Sequence, residues 1–260
     1  MFKLEKLMSI VDDVAPLSIS YETIDNGGYD NSGLIVKCSD SVNKILFSLD
    51  LSNKVVEMAE ELGCDTIITH HPAIYNPVKT LSIDGDTAPI VKAVKLGINI
   101  VSMHLNLDMA DKGIDYYLAQ ALGGKNQKII DYLDDKHGYG REIEISLPLS
   151  RLVDTIKAKL GTEKIIYYGD GQVEKVATFC GGGASYALDF ALSGKTFADT
   201  LVTSDVPHHV IKELVEKDKK LVIIPHYCSE NYVFNKFYSL VKKETDGQIQ
   251  YLYFEDKRFK

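Results

Sequence analysis

The 260-residue sequence predicts an α/β protein in which two related α/β halves, an internal duplication, surround a shared mixed sheet core. Two observations predict this class. Short apolar segments alternate with amphipathic helical segments, as in strand–helix–strand units with a largely parallel sheet. The same alternation then recurs after a stretch rich in glycine and charge. We therefore assign residues 1–125 to a first half, 126–145 to a junction and 146–260 to a second half.

The first half opens with an amphipathic helix that Pro16 ends, because proline cannot continue a helix. The apolar run 44–50 is predicted to be a strand, and it closes on Asp50. Next comes a helix with one apolar face and Gly63 as its C-terminal stop. The remaining predicted elements of this half are a strand at 65–71, a helix at 88–97 and a strand at 98–104.

The second half follows the same order. Its segments are a strand (173–180), a glycine-led helix (181–198), a strand (199–209), a helix (210–220) and a strand that runs into a loop (221–230). The sequence DTIIT at 65–69 matches DTLVT at 199–203. A strand also leads into His-x-x-x-acid in both halves, as His104 with Asp108 and as His226 with Glu230. We interpret this as a duplication; chance similarity of two strand-and-loop units is the alternative.

Composition excludes several classes of function. The formal net charge is −8, and Lys and Arg form no cluster beyond short pairs, so nucleic acid is not an expected partner. No run approaches about 18 apolar residues, so we expect no membrane span. The four cysteines have no CxxC spacing, which favours thiols in a reducing cytosol and a cytoplasmic protein.

Five side chains are candidate metal ligands, and we expect their site to lie between the halves. The carboxyl ends of strands in an α/β sheet are where loops converge on a ligand, and these residues follow such ends. They are His70, His71, Asp108, His226 and Glu230. Adjacent side chains on a strand point to opposite faces, so two neighbouring histidines serve two ions better than one. Ions in two-metal sites lie about 3.5–4 Å apart, which calls for a bridging carboxylate.

Glu230 is the better bridge because it begins a predicted helix, with Ser229 as a plausible cap. Imidazole and carboxylate ligands suit zinc, iron, manganese, cobalt or nickel better than calcium or magnesium. We therefore expect two divalent ions per chain. The alternative is that the His70-His71 pair caps a strand and binds only backbone. For His208-His209, at an apparent helix start, we favour a structural role.

The glycine-rich stretch CGGGASY at 180–186 joins a predicted strand to a predicted helix, as phosphate-binding loops do. It lacks both the GxGxxG and the GxxxxGK[ST] patterns. Close packing of strand and helix explains the glycines equally well, so both interpretations stay open.

Five motifs in order resemble the NIF-three-like family, also called the type 2 GTP cyclohydrolase I family, in its short form. They are DNSGLIV (30–36), ITHHPAIYNPVKTL (68–81), MHLNLDMADKGIDYYLAQALG (103–123), CGGGAS (180–185) and HYCSEN (226–231). The resemblance implies that His71 and Asp108 bind one metal, that His70 and His226 bind the other, and that Glu230 bridges. It also implies a toroidal homohexamer. Two departures bear on substrate fit: the second half has TSD where Thr-Gly-acid is common, and Pro225 replaces a glycine.

Two functions fit these residues. The resemblance implies hydrolytic opening of the guanine ring of GTP with loss of formate, and three ligands per ion would leave positions open for water and substrate. Asp50 and His104 are then our candidates for proton transfer. The other function is a metal-handling or partner-binding protein whose dinuclear site is not catalytic.

Overall fold

The computed structural model describes residues 2–194 and 196–260, and it confirms the α/β class. The helices are α1 (Leu4–Val14), α2 (Leu17–Asp25), α3 (Asn53–Glu61), α4 (Ala88–Lys95), α5 (Leu105–Met109), α6 (Ile114–Ala121), α7 (Leu149–Leu160), α8 (Ala184–Ser193), α9 (His208–Glu216) and α10 (His226–Glu244). The strands are β1 (Phe2–Lys3), β2 (Gly33–Val36), β3 (Ser41–Val42), β4 (Lys44–Ser48), β5 (Thr66–Thr69), β6 (Asn99–Ser102), β7 (Lys125–Tyr132), β8 (Gly138–Pro148), β9 (Ile166–Tyr168), β10 (Gln172–Thr178), β11 (Thr200–Thr203), β12 (Lys220–Ile223) and β13 (Gln250–Phe254). No helix in these ranges is long and apolar enough to cross a membrane.

The first compact unit contains residues 2–107 and 234–255. Its five-stranded sheet has the order β13-β4-β5-β6-β2, in which β13, β4, β5 and β6 run parallel and β2 is antiparallel. Strands β5 and β6 are buried along their whole length. Parallel strands covered on both faces carry near-continuous apolar residues, which explains why these segments read clearly in the sequence.

The second compact unit contains residues 108–233 and 256–260. Its six-stranded sheet has the order β7-β8-β10-β11-β12-β9. Strands β10, β11 and β12 are parallel, while β7, β8 and β9 pair antiparallel with their neighbours. The parallel strands and their two connecting helices, α8 and α9, repeat the β4-α3-β5-α4-β6 order of the first unit.

The duplication is confirmed at the level of single hydrogen bonds. A carboxylate oxygen of Asp65, just before β5, accepts the backbone N–H of Asn43 at 2.8 Å. A carboxylate oxygen of Asp199, just before β11, accepts the backbone N–H of Glu174 at 3.0 Å. The matching DTIIT and DTLVT segments therefore begin their strands in the same way.

When the two units are aligned on their parallel strands, the two His-x-x-x-acid loops are offset by one residue. The N–H of Asn99 donates to the carbonyl before β5, and the N–H of Lys220 donates to the carbonyl before β11, each at 2.9 Å. These two residues are thus equivalent. His104 comes five positions after Asn99, whereas His226 comes six after Lys220. The loops, which the sequence aligned without a gap, differ by one residue in the structure.

The predicted junction at 126–145 lies in β7 and β8 of the second sheet. The strands form three sheets: one large sheet in each unit, and a two-stranded antiparallel sheet of β1 and β3. Strand β7 is an edge strand with partly exposed side chains, so its polar sequence resembles a linker. The C-terminal strand β13, predicted to belong to the second half, joins the first sheet beside β4.

Helix α10 begins at His226, so Ser229 is not its cap. Proline is well suited to a helix start because its missing N–H would have no helical partner there. The carbonyl of Pro225 accepts the N–H of Ser229 at 3.1 Å, and the Ser229 hydroxyl donates to the carbonyl of His226 at 2.7 Å. Ser229 and Glu230 therefore lie in the first turns of the helix.

Candidate metal centre

In the first unit, the predicted site residues lie at one edge of the sheet. Asp50 follows β4, His70 and His71 follow β5, and His104 follows β6, and these three strands are parallel. The ring centroids of His70 and His71 are 5.0 Å apart, those of His70 and His104 are 5.4 Å apart, and those of His71 and His104 are 6.0 Å apart. The fold thus brings three imidazoles together where parallel strands end.

The orientation of the histidine pair is fixed through Nδ1. The buried ring of His70 donates from Nδ1 to the backbone carbonyl of Met103 at 2.7 Å. Nδ1 of His71 donates to a carboxylate oxygen of Asp50 at 2.6 Å. An imidazole that donates from Nδ1 carries its lone pair on Nε2 when neutral, which is the form and the atom that binds a metal.

His104 has a carboxylate partner of its own. Its Nδ1 donates to Asp30 at 2.8 Å, and the Asp30 side chain is fully buried. Burial by itself raises the pKa of Asp30, but hydrogen bonds from His104, Ser20 and Ser32 and the charge of His104 lower the pKa below its ordinary value. Asp30 is therefore a buried anion that holds the His104 ring.

In the second unit, two predicted ligands lie beside a cysteine. Asp108 in α5, Glu230 in α10 and Cys180 after β10 are all buried. Each offers one potential ligand atom, and these atoms all lie within 4.8 Å of one another. Burial, the negative charges of Asp108, Asp115 and Glu230, and a hydrogen bond to Asp108 all raise the pKa of the Cys180 thiol well above its ordinary value.

His226 and Glu230 lie one turn apart at the start of α10. Nε2 of His226 is 3.0 Å from a carboxylate oxygen of Glu230, and its Nδ1 donates to Asp205 at 2.5 Å. Gly181 lies against both side chains with a φ of +54°. A Cβ atom at Gly181 would lie 2.3 Å from Oε1 of Glu230 and 3.2 Å from Nε2 of His226. The backbone at Gly181 therefore leaves room for the His226 and Glu230 side chains but not for a side chain of its own.

The loop that contains Cys180 is fixed by buried hydrogen bonds. The N–H of Cys180 donates to Asp115 at 2.8 Å, and the Tyr139 hydroxyl donates to the carbonyl of Cys180 at 2.5 Å. Burial raises the pKa of Asp115 to about 6 although Arg141 opposes the shift. At Gly183 a Cβ atom would lie 2.5 Å from the Phe179 side chain, so close packing explains this glycine.

The donor set fits divalent metal ions. Imidazole nitrogens and carboxylate oxygens are ligands for first-row transition metals and zinc, and carboxylates buried side by side are stabilised by a cation. Sequence reasoning did not assign Asp30, Asp205, Cys180 or Gly181 to the site. Asp30 belongs to the DNSGLIV motif and Cys180 to the CGGGAS motif, but their contacts join distant parts of the chain. His208 and His209 are exposed at the start of α9.

The whole chain is similar to proteins of one family. A model of the Duf34/NIF3 family (NGG1p interacting factor 3) matches residues 2–257. A relative from Clostridium perfringens, named GTP cyclohydrolase 1 type 2 homolog, is 29% identical over 258 residues, which are 96% of this chain and 95% of that protein. A relative of the same name from Lactococcus lactis is 30% identical over 201 residues, covering 75% and 76%. The crystal structure of a Staphylococcus aureus hypothetical protein matches with a TM-score of 0.85 at 25% identity, covering 98% and 97%.

Proposed function

The chain belongs to the Duf34/NIF3 family, and on that premise we propose that it binds two divalent metal ions and hydrolyses a purine nucleotide. GTP is the first candidate, because curated relatives are named GTP cyclohydrolase 1 type 2 homologs. The observation that carries the metal site is the arrangement of His70 and His71, whose Nδ1 atoms both donate to oxygen acceptors. That arrangement prepares both Nε2 atoms for metal binding.

We assign five ligands: His70, His71, Asp108, His226 and Glu230. His71 and Asp108 would bind one ion, His70 and His226 the other, and Glu230 would bridge. This pairing of ligands is the one that the sequence resemblance implies.

Bound divalent ions supply Lewis acidity and lower the pKa of water. The chain itself supplies proton transfer and orientation. We assign proton transfer to Nε2 of His104, because Asp30 holds the ring in place through Nδ1. The Asp50 carboxylate, which the sequence put forward for the same role, accepts a hydrogen bond from Nδ1 of His71. We therefore assign Asp50 to the positioning of His71.

The test is the release of formate from GTP by the purified chain. Loaded with zinc, iron, manganese, cobalt or nickel in separate samples, the chain should release formate with at least one metal, and a chelator should abolish the release. His104→Ala should keep its metal and lose most of the rate, which separates proton transfer from metal binding. A fully loaded chain that leaves GTP and other purine nucleotides intact would contradict the proposal.

One observation favours the alternative, a metal-handling or partner-binding protein with a non-catalytic dinuclear site. Asp108 and Glu230 are almost completely buried, so ions held there would be shielded from bulk water. The family description also names an interacting factor. Transfer of the ions from the loaded chain to a fluorescent chelator or an apo-protein, with purine nucleotides left intact, would favour this alternative.

We also propose that the protein is a homohexamer, as the sequence resemblance implies. Sedimentation velocity at micromolar concentration should give the mass of six chains of 28.9 kDa. A monomer under these conditions would contradict the proposal.

A further inference from the structure

Cys180 lies two residues after the last residue of β10. Its side chain is 1% exposed, and its sulfur belongs to the same group of potential ligand atoms as the carboxylates of Asp108 and Glu230. A buried cysteine usually packs as a small apolar residue. Here the thiol faces two carboxylates instead, and packing does not account for that placement.

The distances in this group are close to those around a single ion. Metal–sulfur bonds measure about 2.3 Å and metal–oxygen bonds about 2.0–2.2 Å, so two such ligand atoms on one tetrahedral ion lie roughly 3.5 Å apart and never more than about 4.5 Å apart. The sulfur of Cys180 and the nearest carboxylate oxygens of Asp108 and Glu230 lie within 4.8 Å of one another. A shift of about 1 Å or less would bring the outermost pair to the separation of two ligand atoms on a common tetrahedral ion.

The negative charge of this group also favours a bound cation. Two carboxylates and a thiol that share a buried space repel one another when ionised, and a cation relieves that repulsion. The buried guanidinium of Arg141 is directed elsewhere, because it donates to the carbonyls of Gly138, Gly140 and Ala110. The group is thus suited to a bound metal ion.

We propose that Cys180 is a fourth protein ligand, as a thiolate, of the ion assigned to His71, Asp108 and Glu230. This inference rests on the proposed dinuclear site and adds a ligand to it. On binding, the metal–sulfur bond replaces the S–H bond, and the proton leaves to solvent. A thiolate is a soft ligand, so the ion in this position is zinc, cobalt or iron in preference to manganese or magnesium.

The rival role for Cys180 is a hydrogen bond from the thiol to Asp108, which would orient the carboxylate without touching the metal. A serine in its place keeps a hydrogen-bond donor of similar size but removes the sulfur. Cys180→Ser therefore separates the two roles. Cys38→Ser controls for metal binding at an exposed thiol, and Cys64→Ala controls for the loss of a buried thiol in the core of the first unit.

The test is the absorption spectrum of the chain loaded with cobalt(II). The natural chain and both control variants should show sulfur-to-cobalt charge-transfer absorption in the near ultraviolet, and Cys180→Ser should lose it while still binding cobalt. The preference for zinc over manganese, from competition experiments, should fall about tenfold or more in Cys180→Ser.

A second measurement needs no variant. X-ray absorption of the zinc-loaded natural chain should show a sulfur neighbour at about 2.3 Å. A loaded natural chain with only nitrogen and oxygen neighbours, or charge transfer that persists in Cys180→Ser, would overturn the thiolate ligand and leave the dinuclear site intact. A folded natural chain that binds no divalent metal would overturn both.

Discussion

Replacing Gly181 with alanine tests how closely the backbone approaches Glu230 and His226, the ligands that we propose. The added Cβ would lie 2.3 Å from Oε1 of Glu230, and ordinary van der Waals contact begins at 3.4 Å. The carboxylate oxygen must therefore move by about 1 Å, roughly half the length of a metal–oxygen bond. Alanine also adopts the φ of +54° at a cost of about 1–2 kcal/mol.

Two other glycines provide matched controls. Gly63 has a φ of +65° and open space around its Cβ position, so Gly63→Ala carries the backbone strain without the collision. Gly182 has open space and no positive φ, so Gly182→Ala carries neither. We expect Gly63→Ala to lower the free energy of unfolding by about 1–2 kcal/mol, and Gly181→Ala to lower it by at least as much because the collision adds to the backbone strain. Gly181→Ala alone should weaken metal binding, by about tenfold or more.

The assay combines urea denaturation with metal titration of chelator-treated protein. If Gly181→Ala binds two ions with the affinity of the natural chain, Oε1 of Glu230 is not a ligand in the observed position. If Gly63→Ala weakens metal binding as much as Gly181→Ala does, the effect comes from stability and not from the collision.

The other predictions concern single carboxylates. Glu230→Ala should lower metal occupancy at both positions and Asp108→Ala chiefly at one, because a bridging carboxylate bonds to both ions and offsets the repulsion between them. Mass spectrometry measures the metal content, and circular dichroism is the folding control. Equal losses in the two variants would contradict the bridge. Asp50→Asn should lower the affinity for the ion assigned to His71 about 10–100-fold, because the His71 ring loses its carboxylate partner. Calorimetric titration measures this affinity. The lowered pKa of Asp30 contributes stability that is present above the ordinary aspartate pKa of 3.8 and is lost as pH falls through the lower folded value. The difference in unfolding free energy between the natural chain and Asp30→Asn should thus be constant near neutral pH and shrink below about pH 3.8 in urea titrations, whereas a difference that grows toward acid would contradict the lowered pKa.

Much of the fold follows from local patterns. The buried parallel strands β4, β5 and β6 are short apolar runs, and the turn after α3 needs a glycine, Gly63, at a φ of +65°. The ends of parallel strands share one edge of a sheet, so the histidines after β5 and β6 were expected to lie near each other. These features depend on neighbouring residues, which a sequence displays directly.

The rest depends on pairing between distant segments. Strand β13 joins the first sheet beside β4, and Asp30 holds His104 across 74 positions of the chain. Neither contact leaves a periodic signal. Cys180 belongs to the CGGGAS motif, but the sequence does not show that the fold places two carboxylates beside its thiol.

The metal content of the purified chain tests the central claim most directly. Protein stripped with a chelator, reloaded with zinc or cobalt and freed of excess ion should contain two ions per chain by mass spectrometry. A His70→Ala, His71→Ala double variant that stays folded by circular dichroism should lose most of this content, because it lacks one histidine ligand for each ion. One ion or none in the folded natural chain, or two ions in the double variant, would contradict the dinuclear centre.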